Sequence, residues 1–155
     1  MFINSLFAAD FAAILTGDDR LAVFADGRLV GHNGGTWDDA RWFAFPVETK
    51  VIAVSIYNLP GNIGGFLGVF SNGLATDGTW KCKEVLSGPD DGWEQTNFND
   101  STWQHAYVRH DNNGVNRVPG IPHNVHWISA ANQTAVRFIC RRHFTEEEKI
   151  RNSSK

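Results

Sequence analysis

What the chain lacks narrows its function first. Its 14 lysines and arginines are outnumbered by 17 aspartates and glutamates, a formal net charge of -3 at pH 7. With no cationic surplus to neutralise phosphates, nucleic acid is not expected as a partner. No apolar run approaches the ~20 residues that cross a bilayer, so no membrane insertion is expected. Gly-x-Ser-x-Gly, a phosphate loop and His-Glu-x-x-His are all missing, and the expectation is a protein that is not an enzyme. His123 and His126 stand three apart, which on a strand puts them on opposite faces and makes them poor joint zinc ligands. The start, Met1 to Asp10, has no basic residues, and its apolar stretch is broken by Asn4, Ser5 and Asp10. That is a poor secretory signal. Either export uses a segment outside this sequence, or the protein is intracellular. No internal repeat or linker divides the chain.

What is present is the material of one folded domain. The 155 residues are 42% apolar and include 11 Phe and 6 Trp, enough for a substantial core. Short strand patterns alternate with Gly/Asn/Asp turns, and no convincing helix interrupts them. This predicts an all-β sandwich over residues 1–145, followed by a polar, frayed tail at 146–155. Arg20 to Ala25 alternates, with Leu21 and Val23 on one side, and Asp26-Gly27 reads as a hairpin turn. Val51 to Tyr57 and Phe66 to Phe70 read as buried strands. Trp80 and Cys82 share an inner face. Along the last strand, Ala135 to Phe144, the alternation points Val136, Phe138, Cys140 and Phe144 inward and Arg137 and Arg141 outward.

The most distinctive stretch runs from Gly92 to Ala106. Trp93 and Trp103 flank the polar turn Asn97-Phe98-Asn99-Asp100-Ser101-Thr102. Asn, Asp, Ser and Thr bond to nearby backbone and stabilise turns, while the rings need a core to bury them. We read it as a rigid corner between two strands, locked from inside by Phe98 and Trp103.

This corner resembles the "GW…FDDSSW" signature of the galactose-binding-like jelly rolls attached to many glycoside hydrolases. Phe24-Ala25-Asp26-Gly27-Arg28-Leu29-Val30-Gly31 resembles that family's "YVNGKLVG" hairpin. Trp127-Ile128, Val136-Arg137-Phe138 and Arg142-His143-Phe144 resemble its closing "WIW…VYFRKTF". The resemblance covers residues 15 to 145 in order and implies a jelly-roll β-sandwich. It also implies a lectin-like protein recognising a terminal, galactose-type sugar. In that family such modules accompany a separate catalytic domain, for which this chain has no room.

Three loops are rich in groups suited to such a ligand: His32 to Trp42, Asn58 to Gly65, and Arg109 to Arg117. Asn33, Trp37, Asp38, Asp39, His110, Asp111, Asn112, Asn113 and Arg117 are the candidate sugar contacts. Their amides, carboxylates and guanidinium match sugar hydroxyls, and an indole stacks on a pyranose face. Asp38, Asp39, Asp111 and Asn112 are candidate oxygen ligands for calcium, which would bridge vicinal hydroxyls at a shallow site. The third loop departs from the family pattern of small and aromatic residues. Cys82 and Cys140 either form a disulfide, which would suit a secreted protein, or are two buried thiols. Three sequons, at Asn99, Asn132 and Asn152, fit secretion. A lone lectin domain binds weakly, so a homodimer is expected on grounds of avidity. The competing reading is a structural or interaction domain of a larger extracellular protein.

Overall fold

The computed structural model describes residues 10–150. The secretory-signal reading of residues 1–9 and the Asn152 sequon lie outside them. The described residues form eleven strands: β1 (Asp10–Asp18), β2 (Arg20–Ala25), β3 (Arg28–His32), β4 (Arg41–Pro46), β5 (Val51–Tyr57), β6 (Gly65–Phe70), β7 (Lys81–Glu84), β8 (Gln104–His105), β9 (Tyr107–Asp111), β10 (His126–Ser129) and β11 (Arg137–His143). A short helix, α1 (Glu146–Ile150), follows.

The strands make two antiparallel sheets, the expected β-sandwich. One has the order β4-β1-β6-β10-β9 and the other β3-β2-β5-β11-β7-β8. The main core lies between them and follows strand parity. Phe11, Ala13, Leu15, Phe66 and Phe70 face Leu21, Val23, Ile52, Val54, Ile56 and Phe138. The Asp26-Gly27 hairpin is formed, with φ of 48° and 88°, which suits the right-handed twist of its strands.

Each sheet also has a covered outer face. On the five-stranded sheet, Leu67 and Trp127 pack with Val118, Ile121 and Val125 from the loop between β9 and β10. On the six-stranded sheet, Ala53 and Ile139 pack beneath Trp93 and Trp103 of the aromatic corner. The corner is locked as expected, with Phe98 edge-on to Trp103 at 5.5 Å between ring centroids.

Two readings of the last strand need correction. Val136 lies just before β11 and is exposed, at 43%. Arg141 does point away from the inter-sheet core, as parity requires, yet it is 0% exposed because the corner closes over it. Its Nε donates to Asp100 Oδ2 at 2.9 Å, and its Nη1 donates to the Trp93 and Gln95 carbonyls at 2.8 and 3.0 Å. Burial pulls the guanidinium pKa down, and the Asp100 charge opposes this.

The run from Glu146 does not fray at its start. Thr145 and Glu148 form a reciprocal cap: Glu148 N donates to Thr145 Oγ1, and Thr145 N donates to Glu148 Oε1, each at 3.1 Å. Lys149 reaches back to the Val47 and Thr49 carbonyls, docking α1 on the sandwich. The Thr145-x-x-Glu148 spacing is the local signal for that helix.

Cys82 and Cys140 are directly opposite one another on β7 and β11 and are joined as a disulfide. No helix among the described residues is long and apolar enough to cross a membrane. The Asn99 and Asn132 sequons lie on exposed turns.

Candidate functional site

Four neighbouring strands of the five-stranded sheet bring their ends together. Asp18, at the end of β1, is opposite Gly65 at the start of β6. Phe66 is opposite Ile128 on β10, which pairs in turn with Val108 on β9. Side chains that leave the core here point to the outer face, as Ile14 and Thr16 do on β1. A cavity of about 340 Å³ opens at this corner of the sheet. That volume suits a small-molecule ligand.

All three loops singled out in the sequence reach this cavity. The β3–β4 loop contributes Trp37, the β5–β6 loop Ile63 and Gly64, and the segment from β9 onward Arg109, His110 and Asn116. Asp18, Trp127 and Gln133 complete the lining. Trp127 forms the floor and is only 7% exposed. Its ring lies against Gly65, where an added Cβ would come within 2.7 Å of Cε3, so the floor depends on a residue without a side chain. The His110 ring stands 6.4 Å from Trp127, centroid to centroid. Trp37 is half-buried, and its carbonyl accepts a bond from Thr16 Oγ1 at 2.9 Å.

The polar lining groups are held in different ways. Arg109 stacks on Tyr107, 4.7 Å from the ring centroid. Its Nε donates to Ser129 Oγ at 2.9 Å, and its Nη2 donates to the Ala130 and Ala131 carbonyls at 3.2 and 3.1 Å. Asp18 is joined to Asp19 by a cis peptide. Burial, reinforced by the neighbouring Asp19 carboxylate and a hydrogen bond to it, pushes the Asp18 carboxyl up to about 7.

Of the residues expected to touch a ligand, Trp37 and His110 line the cavity, while Asn33, Asp38, Asp39, Asp111, Asn112, Asn113 and Arg117 do not. Asn33 and Asn112 are corrected to structural roles. Asn33 Oδ1 accepts from Leu21 N and Gly35 N, and its Nδ2 lies within 3.0–3.1 Å of four oxygens, on Thr16, Gly17, Asp19 and Thr36. It ties the loop that presents Trp37 to the end of β1. Asn112 is 1% exposed, and its amide bonds Val118 N, Val118 O and Ile121 O, folding the loop that covers the outer sheet face. Asn33→Ala should therefore destabilise the protein by about 2 kcal/mol, because buried backbone groups lose their partners. Chemical denaturation measures this, and an unchanged midpoint would deny Asn33 its role.

Asp38 bonds Thr36 Oγ1 on the surface at 2.8 Å, and Asp39 makes a two-pronged pair with Arg41. That pairing holds the Asp39 carboxyl below its ordinary range. Among the described residues no three His, Cys, Asp or Glu side chains gather around a common point, so Asp38, Asp39 and Asp111 do not converge as a metal centre.

Sequence reading did not single out Asp18, the last residue of β1, and took Trp127 only for part of the closing motif. It passed over Arg109 and Asn116, which lie inside a loop it had marked, and Gln133, which carries no local signal. What selects them is strand adjacency, which no local pattern encodes.

No family model matches the chain, and no curated protein matches it. Among solved structures, a lectin of Pleurotus ostreatus in its apo form is similar, with a TM-score of 0.54 and 23% sequence identity. The match covers 74% of this chain and 36% of that one, so this chain spans little more than a third of the length of that lectin. At this level of identity the likeness is one of fold, and it agrees with the β-sandwich described above.

Proposed function

We propose that this chain is a carbohydrate-binding protein that takes a terminal sugar in the cavity between Trp37 and Trp127. One observation carries the reading. Three separate loops and four strand ends converge on one cavity that combines two indoles with Asp18, Arg109, His110, Asn116 and Gln133. Sugar rings need this combination, an aromatic wall for their C–H face and planar polar groups for their hydroxyls. The similar fold of a fungal lectin supports it. Binding without catalysis is the proposed activity, since among the described residues Asp18 is the one carboxyl lining the cavity and glycoside hydrolysis ordinarily uses two.

The finer features rest on other grounds. Galactose-type preference follows from the motif resemblance. An extracellular setting fits the disulfide, which persists in oxidising compartments. A homodimer would raise avidity for clustered glycans.

Glycan-array binding, repeated with a calcium chelator, tests the proposal, and sedimentation tests the dimer. Trp37→Ala should weaken sugar binding at least about tenfold by removing the stacking wall. Asp38→Ala lies outside the cavity and should bind normally. The reverse pattern, with Asp38→Ala defective and Trp37→Ala intact, would move the site to the acidic loop. Loss of binding on chelation would establish a calcium requirement, and no binding in either buffer would defeat the carbohydrate reading.

A further inference from the structure

The charges around the cavity narrow the class of sugar. Resting on the carbohydrate reading above, we propose that the site prefers a sugar bearing a carboxylate, of the hexuronate type, with Arg109 as the carboxylate's partner.

Arg109 and Asp18 line the same cavity, yet no ion pair joins them. The guanidinium therefore faces the cavity without a carboxylate neutralising it. Among the described residues Arg109 is the one permanently cationic member of the lining. Its Nε and Nη2 are spent on Ser129, Ala130 and Ala131, which fix the guanidinium plane. No described residue accepts a bond from Nη1, which leaves two N–H donors on a pre-oriented cation. A guanidinium held in this way suits a planar carboxylate better than a neutral hydroxyl, because the bond to it is charge-assisted. The indole walls lower the local dielectric and strengthen that bond.

The carboxyl on the other side does not cancel this preference. Its environment (burial, with Asp19 beside it) keeps Asp18 largely protonated below about 7. In that state it carries no charge to repel a ligand carboxylate, its proton being shared with Asp19. As pH rises through that value it becomes an anion and opposes an acidic ligand. Asp19, Arg109 and His110 are the other ionisable groups around it. Preference for the acidic sugar is therefore greatest below about pH 7 and falls above it.

The test is calorimetric titration of the wild-type protein with the methyl glycosides of galacturonic and glucuronic acid, against those of galactose and glucose. The expected result is an affinity at least about tenfold higher for a uronate than for its neutral counterpart. The ratio should shrink as pH is raised through about 7. In Arg109→Gln the ratio should approach one, while Arg109→Lys should keep part of it. Reading the ratio cancels any general loosening of the cavity. Equal or tighter binding of the neutral sugars, or a preference that grows with pH, overturns this inference and leaves the carbohydrate reading standing. If none of the four binds and the glycan array is also blank, both fall.

Discussion

Arg141→Ala should lower the folding free energy by about 3–5 kcal/mol, the cost of removing one partner from a buried charge pair. The side chain is fully enclosed, and every part of it is used. Its Nε holds Asp100, its Nη1 bridges the Trp93 and Gln95 carbonyls, and its plane lies 5.2 Å from the centre of the Phe98 ring. These contacts are the polar attachment of the aromatic corner to β11. Without them the Trp93 carbonyl loses its donor, the Gln95 carbonyl keeps only the longer bond from Phe98 N at 3.4 Å, and the Asp100 side chain keeps the longer contact to Lys81 at 3.3 Å. Trp93 and Trp103 then cover Ala53 and Ile139 with weaker anchors, the bond of Trp103 Nε1 to Asp90 and those of Lys81 to Asp100. Urea denaturation followed by tryptophan fluorescence measures the effect. A loss below about 1 kcal/mol would mean that indole packing alone holds the corner.

The disulfide should matter about as much. Cys82 and Cys140 are 58 residues apart, and a closed loop of that length stabilises by about 4 kcal/mol in the chain-entropy account. Both side chains belong to the inter-sheet core, so the double replacement by alanine keeps the site apolar and removes mainly the cross-link. For a domain of this size the melting temperature should fall by about 8–16 °C. Wild-type protein melted with and without reductant should show the same interval. An unchanged melting temperature in reductant would show that the pairing of β7 with β11 restricts the chain without the bond.

These two effects come from opposite sides of one strand. Phe138 and Cys140 face the core between the sheets, while Ile139 and Arg141 face the corner. A stretch that looks like an ordinary alternating strand is thus buried on both faces by unrelated segments.

The same distinction explains how much of the cavity was legible beforehand. The three loops that reach the cavity are legible in the sequence because Asn, Asp, Gly and Trp cluster in them. Within the loops the choice of residues failed where the most polar ones were preferred. Asn33 and Asn112 are polar because a loop's own backbone needs partners, and burial of that backbone consumed them. Trp127 reads as framework and Arg109 as the first residue of a candidate loop, yet both sit on strands whose parity turns them toward the cavity.

Residue order by itself determined what depends on near neighbours. The period-two patterns of β2 and β11, the apolar run of β5, the Asp26-Gly27 turn, the aromatic corner and the absence of cationic surplus are local or compositional. Tertiary structure alone decided which outward faces would be covered, that the two cysteines would meet, and that Asp18, Arg109, Trp127 and Gln133 would share one space. The physical reason is that a side chain's direction is set by its own backbone. Its solvent, and with it the charge and reactivity of groups such as Arg141 and Asp18, is set by segments far away in the chain.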